Sequence, residues 1–182
     1  DAYGISRWGD GLIGVLTNGN VCLHDPLSTD GSPVDLAEVI QKLERRGIQT
    51  PVLLRVSNFL EHRIRAINEG FRKAIEQVSY QGDYRGVFPI KVNQQRQVVE
   101  AITEFGKRHH IGLEVGSKPE LVAAISFATG KDLPIICNGY KDNDFIETIL
   151  YANKIGYNIT IVVEKLFERF SRHLEAKGFI AR

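Results

Sequence analysis

The chain reads as an α/β protein built on parallel strands, and three observations predict this. Apolar, strand-like runs begin near Gly86, Ile111, Pro134 and Ile159, at intervals of about 25, 23 and 25 residues. A helical pattern fills each gap. Each helical pattern closes within a few residues of a glycine, at Gly106, Gly130, Gly156 and Gly178, as C-terminal stops would. Strands alternating with helices at this period form βαβ units. Two architectures share the pattern, a doubly wound sheet and a (β/α) barrel. A full eight-fold barrel takes about 250 residues, so a barrel within these 182 residues is incomplete. No G-x-G-x-x-G follows a strand and no Walker A motif occurs, which weighs against a nucleotide-binding sheet.

Residues 3–25 read as β structure. Within them Thr17-Asn18-Gly19-Asn20 carries the Asn-Gly hairpin signal between two apolar runs. Residues 26–33 are a loop rich in Ser, Asp, Gly and Pro. A short helix follows from Asp35 and ends near Gly47. Residues 51–56 are a strand candidate. Ser57 or Asn58 can cap a long helix running to about Val78, with Phe59, Ile64, Ile67, Phe71 and Ile75 at roughly helical spacing. The later helices cover residues 94–106, 118–129, 142–155 and 166–177. Their inward residues are Val98, Val99, Ile102 and Phe105, then Leu121, Val122, Ile125 and Phe127, then Phe145, Ile146, Ile149 and Leu150, and last Phe167, Phe170 and Leu174.

Composition narrows the function. At 43% hydrophobic and 25% charged residues the chain is ordinary for a globular protein. A net charge of +1 offers no electrostatic footprint for nucleic acid or an anionic membrane. No apolar run approaches a membrane span, and the opening Asp-Ala-Tyr-Gly-Ile-Ser is not a signal peptide, so the expected compartment is the cytoplasm. Cys22 and Cys137 lie in apolar runs without a C-x-x-C partner, as buried thiols do. The basic cluster Lys107-Arg108-His109-His110 closes a predicted helix, where cations complement the dipole. Adjacent histidines do not share a helix face, which argues against a metal site there.

In either parallel architecture the chemistry gathers at the C-terminal ends of the strands. The first apolar run leads to Lys91 and Asn93, the second to Glu114 and Ser117, the third to Asn138 and Lys141, the fourth to Glu164. A lysine emerging from an apolar run loses water, and desolvation favours its neutral amine, the form that Schiff-base chemistry with an aldehyde requires. The plainer alternative is a lysine snorkelling from a strand end. Glu114 has parity opposite to Leu113 and Val115, so a carboxylate on the interior face would need a partner, which an amine one strand away can supply. Ser117-Lys118-Pro119-Glu120 is a capping box with proline in the first turn. Asn138-Gly139 reads equally as a turn, and Glu164 as a cap.

Three motifs then point to a family. Phe88-Pro89-Ile90-Lys91-Val92-Asn93-Gln94, Glu114-Val115-Gly116-Ser117-Lys118-Pro119-Glu120-Leu121 and Cys137-Asn138-Gly139-Tyr140-Lys141-Asp142 closely resemble the biosynthetic arginine decarboxylases. Tyr3-Gly4-Ile5-Ser6-Arg7-Trp8-Gly9 is similar to their N-terminal region, and the likeness runs in order to about Lys165. More distantly, Lys91 and the Glu114–Glu120 segment look like ornithine and diaminopimelate decarboxylases. The resemblance implies an incomplete (β/α) barrel of the alanine-racemase-like class that binds pyridoxal phosphate. Residues 1–33 would be a β segment of a second β domain, and residues 34–182 the partial barrel. It implies that Lys91 carries pyridoxal phosphate as a Schiff base, with Glu114 and Glu120 beside lysine and cofactor. Magnesium is associated with the family, without a ligand set in this segment.

The implied activity is decarboxylation of L-arginine to agmatine and carbon dioxide in polyamine synthesis. The complete enzyme would be a homo-oligomer with no nucleic-acid or membrane partner. The family's phosphate loop, ring-nitrogen carboxylate and catalytic cysteine lie further along, so the chain is expected to be an N-terminal portion. Residues 167–182 match the family pattern poorly. Two alternatives stand beside this reading: a decarboxylase of the same fold for another basic amino acid, and a non-catalytic homologue that binds a partner.

Overall fold

The Asn-Gly signal folds as a hairpin. Strands β1 (Ile13–Val15) and β2 (Val21–Leu23) pair antiparallel, with Ile13 opposite Leu23 and Val15 opposite Val21. Gly19 takes φ +87°, a region that costs glycine nothing. The Asn18 side-chain oxygen accepts the N–H of Asn20 at 3.0 Å. The computed structural model describes residues 2–128 and 130–163, and these divide into two compact units between Arg63 and Ile64.

The first unit departs from the expected β structure at its start. Gly4 turns left-handed at φ 62°, and its carbonyl accepts the N–H groups of Arg7 and Trp8. Ile5–Trp8 therefore form one helical turn, α1. A short third strand, β3 (Val34–Asp35), adds to β2; two residues are too few to show a period. Asp35 then caps α2 (Leu36–Glu44), accepting from the N–H groups of Ala37 and Glu38. Its other oxygen accepts from Asn20 Nδ2 at 2.8 Å, tying the hairpin turn to the helix start. Residues 51–56 are a correction: no strand forms there. A strand exists only with a partner, and no described strand pairs with this segment. Helix α3 (Ser57–Val78) follows as expected. Asn58 Nδ2 donates to Asp25 Oδ2 at 2.7 Å near its start.

Of the apolar stripe expected along α3, only Ile64 is buried. Phe71 instead stacks flat on Tyr84, with ring centroids 3.8 Å apart. Beyond α3 the described residues of the second unit hold four strands in the order β4 (Val87–Pro89), β5 (Gly112–Val115), β6 (Ile135–Cys137) and β7 (Ile159–Ile161), and every pair is parallel. The connecting helices are α4 (Arg96–Gly106), α5 (Lys118–Phe127) and α6 (Asn143–Lys154).

The ladder register separates the two faces. Phe88, Leu113, Ile135 and Ile159 stand side by side in one row, and Pro89, Glu114, Ile136 and Thr160 in the next. The Leu113–Ile135 row packs with Val99 of α4, Leu121 and Ala124 of α5, and Phe145 and Ile149 of α6. All three helices therefore cover the same face, and the opposite face carries Glu114, Ile136 and Thr160. Sequential strand order with helices on one side is the wall of a (β/α) barrel. A doubly wound sheet reverses its order and takes helices on both faces.

The helix starts follow from capping. Ser117 and Asp142 accept backbone N–H groups at the starts of α5 and α6. The glycine stops hold in part. Gly156 closes α6 at φ +102°. Gly106 is instead the last helical residue of α4, where an added Cβ would meet that of Ile111 at 2.8 Å. Its role is close packing, and the left-handed residue that turns the chain is His110, at φ 53°. The expected helix over residues 166–177, Gly178 and Glu164 lie outside the described residues.

Candidate functional site

Strand β4 ends at Pro89, and residues Ile90–Val92 form a 3₁₀ turn. Ile90, 2% exposed, anchors that turn in the core, which presents Lys91 at the rim. Asn93 Oδ1 accepts the N–H of Gln95 at 3.1 Å and leads the chain into α4. Lys91 is thus two residues past the strand end, in the middle of the turn. Its side chain is 61% exposed, so the dehydration expected of it is not present in this chain. The reason is geometric: the turn carries it beyond the strand, and among the described residues β4 has a neighbour on one side only.

Glu114 stands where its parity predicts. It is opposite Pro89 in the register, between the fully buried Leu113 and Val115, and faces away from the helices. Its Oε1 lies 3.7 Å from Lys91 Nζ, and its side chain is 20% exposed. The carboxylate on the interior face has found the amine one strand away.

The next residues form the start of α5. Ser117 Oγ accepts the N–H of Glu120 at 3.4 Å, and Pro119 sits in the first turn. In a capping box the Glu carboxylate would return to the N–H of the cap residue. Here Glu120 Oε2 accepts instead from Gly116, one residue earlier, at 2.7 Å. Behind the Lys91 turn is a groove of about 330 Å³, walled by Ile90, Gln94 and Val99 on one side and by Ser117, Glu120 and Phe127 on the other.

At the third strand the turn reading of Asn138-Gly139 holds. Asn138 donates its N–H to Val115 O at 2.8 Å, and its side-chain oxygen accepts the N–H of Gly139 at 3.0 Å. Gly139 takes φ +71°, and a Cβ there would come 3.3 Å from Gly116 O. The turns after β5 and β6 therefore touch. Lys141, a rim amine in the sequence, donates to Gly139 O at 2.6 Å and to Val162 O at 2.8 Å. It ties the turn after β6 to the end of β7. That role was not legible beforehand, because the acceptors are carbonyls left over where strands end. Burial pushes the thiol of Cys137 up to about 12, against the opposing pull of the Lys141 ammonium. Lys118 lies 3.9 Å from Asp144.

The arrangement can present a primary amine, paired with a carboxylate, at the mouth of a parallel barrel wall. An aldehyde cofactor needs a primary amine, so the residues present fit one. Among the described residues no three His, Cys, Asp or Glu side chains gather as a metal site, and no helix is long and apolar enough to cross a membrane.

Comparison with known proteins agrees with this geometry. Residues 62–176 match the family model described as pyridoxal-dependent decarboxylase, pyridoxal binding domain. The chain belongs to that family. Biosynthetic arginine decarboxylase from Pelobacter propionicus is 58% identical over 166 residues, which is 91% of this chain and 26% of that protein. The protein of the same name from Geobacter sulfurreducens is 57% identical with the same coverage. The crystal structure of biosynthetic arginine decarboxylase SpeA from Campylobacter jejuni superposes with a TM-score of 0.86 at 29% identity, covering 100% of this chain and 29% of that one. The chain thus spans about a quarter of the length of the curated relatives it matches.

Proposed function

We propose that this chain is the cofactor-lysine segment of a pyridoxal-phosphate-dependent arginine decarboxylase, which converts L-arginine to agmatine and carbon dioxide. The observation that carries the reading is the pairing of Lys91 with Glu114 at the rim of a barrel wall in the pyridoxal-binding family. The names of the similar proteins support arginine as substrate. Agmatine retains a primary amine and the guanidinium, which suits it as a precursor for polyamines.

Lys91 supplies the amine that would hold the cofactor covalently. Pyridoxal phosphate, when bound, supplies the electron sink for the pair left behind as the carboxylate departs as carbon dioxide. Glu114 orients Nζ of Lys91 and, among the described residues, is the carboxylate paired with it, the first acceptor for a proton leaving that atom. The rim contacts of Glu120, Gly116 and Gly139 hold the turns around the pair.

Residues 1–33 would join a β domain completed by other parts of the whole protein. The support is the sheet they begin: Ile13, Val15, Val21 and Leu23 share one face by register with Val34, the next residue beyond them, and Val15, Val21 and Val34 are exposed there.

The test uses the complete protein carrying this segment. Borohydride reduction and peptide mapping should find the pyridoxyl group on the peptide containing Lys91, and agmatine should form from arginine, with no putrescine from ornithine and no cadaverine from lysine. Label on Lys118 or Lys141 would overturn the assignment. Lys91→Arg should take no label and give no turnover, because a guanidinium stays protonated.

A further inference from the structure

We infer that Glu120 serves this site as a positioning residue: its carboxylate holds the N–H of Gly116, and through that residue sets where Glu114 stands beside Lys91. The inference rests on the reading of Lys91 and Glu114 given above.

Gly116 is the first residue beyond β5 and the second beyond Glu114. The ladder to β6 reaches Val115, whose carbonyl takes the N–H of Asn138. The next N–H, that of Gly116, goes to a side chain, Glu120 Oε2, at 2.7 Å. A charged acceptor at that distance makes one of the stronger hydrogen bonds in proteins. Gly116 has no side chain to pack and glycine backbone is permissive, so this bond restrains the strand end where side-chain packing cannot.

The geometry separates this role from ordinary helix capping. Ser117 Oγ already takes the N–H of Glu120 at the cap. A carboxylate serving the cap alone would return to Ser117; this one reaches past it to the strand. On the far side, the Gly116 carbonyl lies against Gly139. Gly116, two residues after Glu114, is therefore held at its N–H by a hydrogen bond and packed at its carbonyl against Gly139.

The experiment uses the complete enzyme and pyridoxal phosphate itself, with bound cofactor read by its absorbance, alongside the melting temperature of the cofactor-free protein. Glu120→Ala should weaken cofactor affinity about tenfold, the scale of one lost charge-assisted bond. Glu120→Gln keeps an oxygen that accepts from Gly116 and should stay within about threefold of the parent. Asp142→Ala removes the cap of α6 one unit along. It should lower the melting temperature and leave cofactor affinity unchanged. If Glu120→Gln falls as far as Glu120→Ala, the charge acts directly and the inference is wrong. It is equally wrong if Glu120→Ala lowers only the melting temperature, or if Asp142→Ala weakens the cofactor as much. Failure of the underlying reading shows separately, as a pyridoxyl label absent from Lys91 in the unmutated enzyme.

Discussion

Replacing Glu114 by glutamine removes one charge from the rim and little else. Two unit charges about 4 Å apart interact by about 1 kcal/mol in water and about 4 kcal/mol at an effective dielectric near 20. The observed separation is 3.7 Å, with the Lys91 side chain 61% exposed and that of Glu114 20% exposed. In this 182-residue chain the pair therefore belongs with surface ion pairs, worth about 0–1 kcal/mol. Its loss should shift the unfolding midpoint by no more than that. In a complete barrel the remaining wall would enclose the rim, and the interaction moves toward the larger figure. Taking about 2 kcal/mol as the middle of that range, cofactor affinity or kcat/KM for arginine should fall about thirtyfold. The assay is a pyridoxal phosphate titration with kinetics of agmatine formation, run beside Glu120→Ala. Glu114→Gln should lose more function than Glu120→Ala while losing less stability. Equal losses in both, accounted for by melting temperature alone, would show that Glu114 is framework.

Two further outcomes test the surrounding structure. Gly139→Ala places a side chain at φ +71° with its Cβ 3.3 Å from Gly116 O; it should cost about 1–2 kcal/mol, and an unchanged urea midpoint would show that the turn relaxes freely. The Cys137 thiol, pushed up to about 12 by burial against 9.0 for a free thiol, keeps its proton in the folded state where the unfolded chain releases it. Its contribution to stability is full below about pH 9 and is lost as pH rises from there toward 12. Urea midpoints should fall over that window less steeply in Cys137→Ala, and identical slopes would refute the assignment.

How much of this was visible in the sequence differs between the two units. The parallel array was legible because strands buried against helices read as continuous apolar runs, and Ile135–Cys137 and Gly112–Val115 form strands within the runs they predicted. The faces were legible too: Glu114 between Leu113 and Val115 can only point away from the helices. The choice between a barrel wall and a doubly wound sheet came from the motifs' resemblance to a decarboxylase family and was not legible in the periodicity. It depends on strand order and on which face each helix covers, neither of which periodicity encodes. In the first unit the hairpin announced itself through Asn18-Gly19. The helical turn at Ile5–Trp8 came from a left-handed Gly4 that composition cannot distinguish from a strand-end glycine. Residues 51–56 had strand composition without a partner, and β pairing is a property of two segments rather than one.

The rim illustrates the same limit with sharper consequences. Lys91, Lys118 and Lys141 all follow apolar or capping motifs, and spacing alone makes each a plausible amine. What separates them is what each ammonium meets. Lys141 donates to two carbonyls from different strand ends, so removing its proton would break a tie between the turn after β6 and β7. Lys118 faces Asp144 on the next helix, at 3.9 Å, away from the strand ladder. Lys91 stands against a carboxylate that the sheet itself aims, because Glu114 is a strand residue whose direction is fixed by its fully buried neighbours. A lysine held by a loop or a helix can drift with it, whereas one addressed by a strand carboxylate is placed by the core of the domain. That is the physical ground for the proposal that Lys91 carries the cofactor. It also explains why the turn holding Gly116 should matter to a reaction whose atoms it never touches.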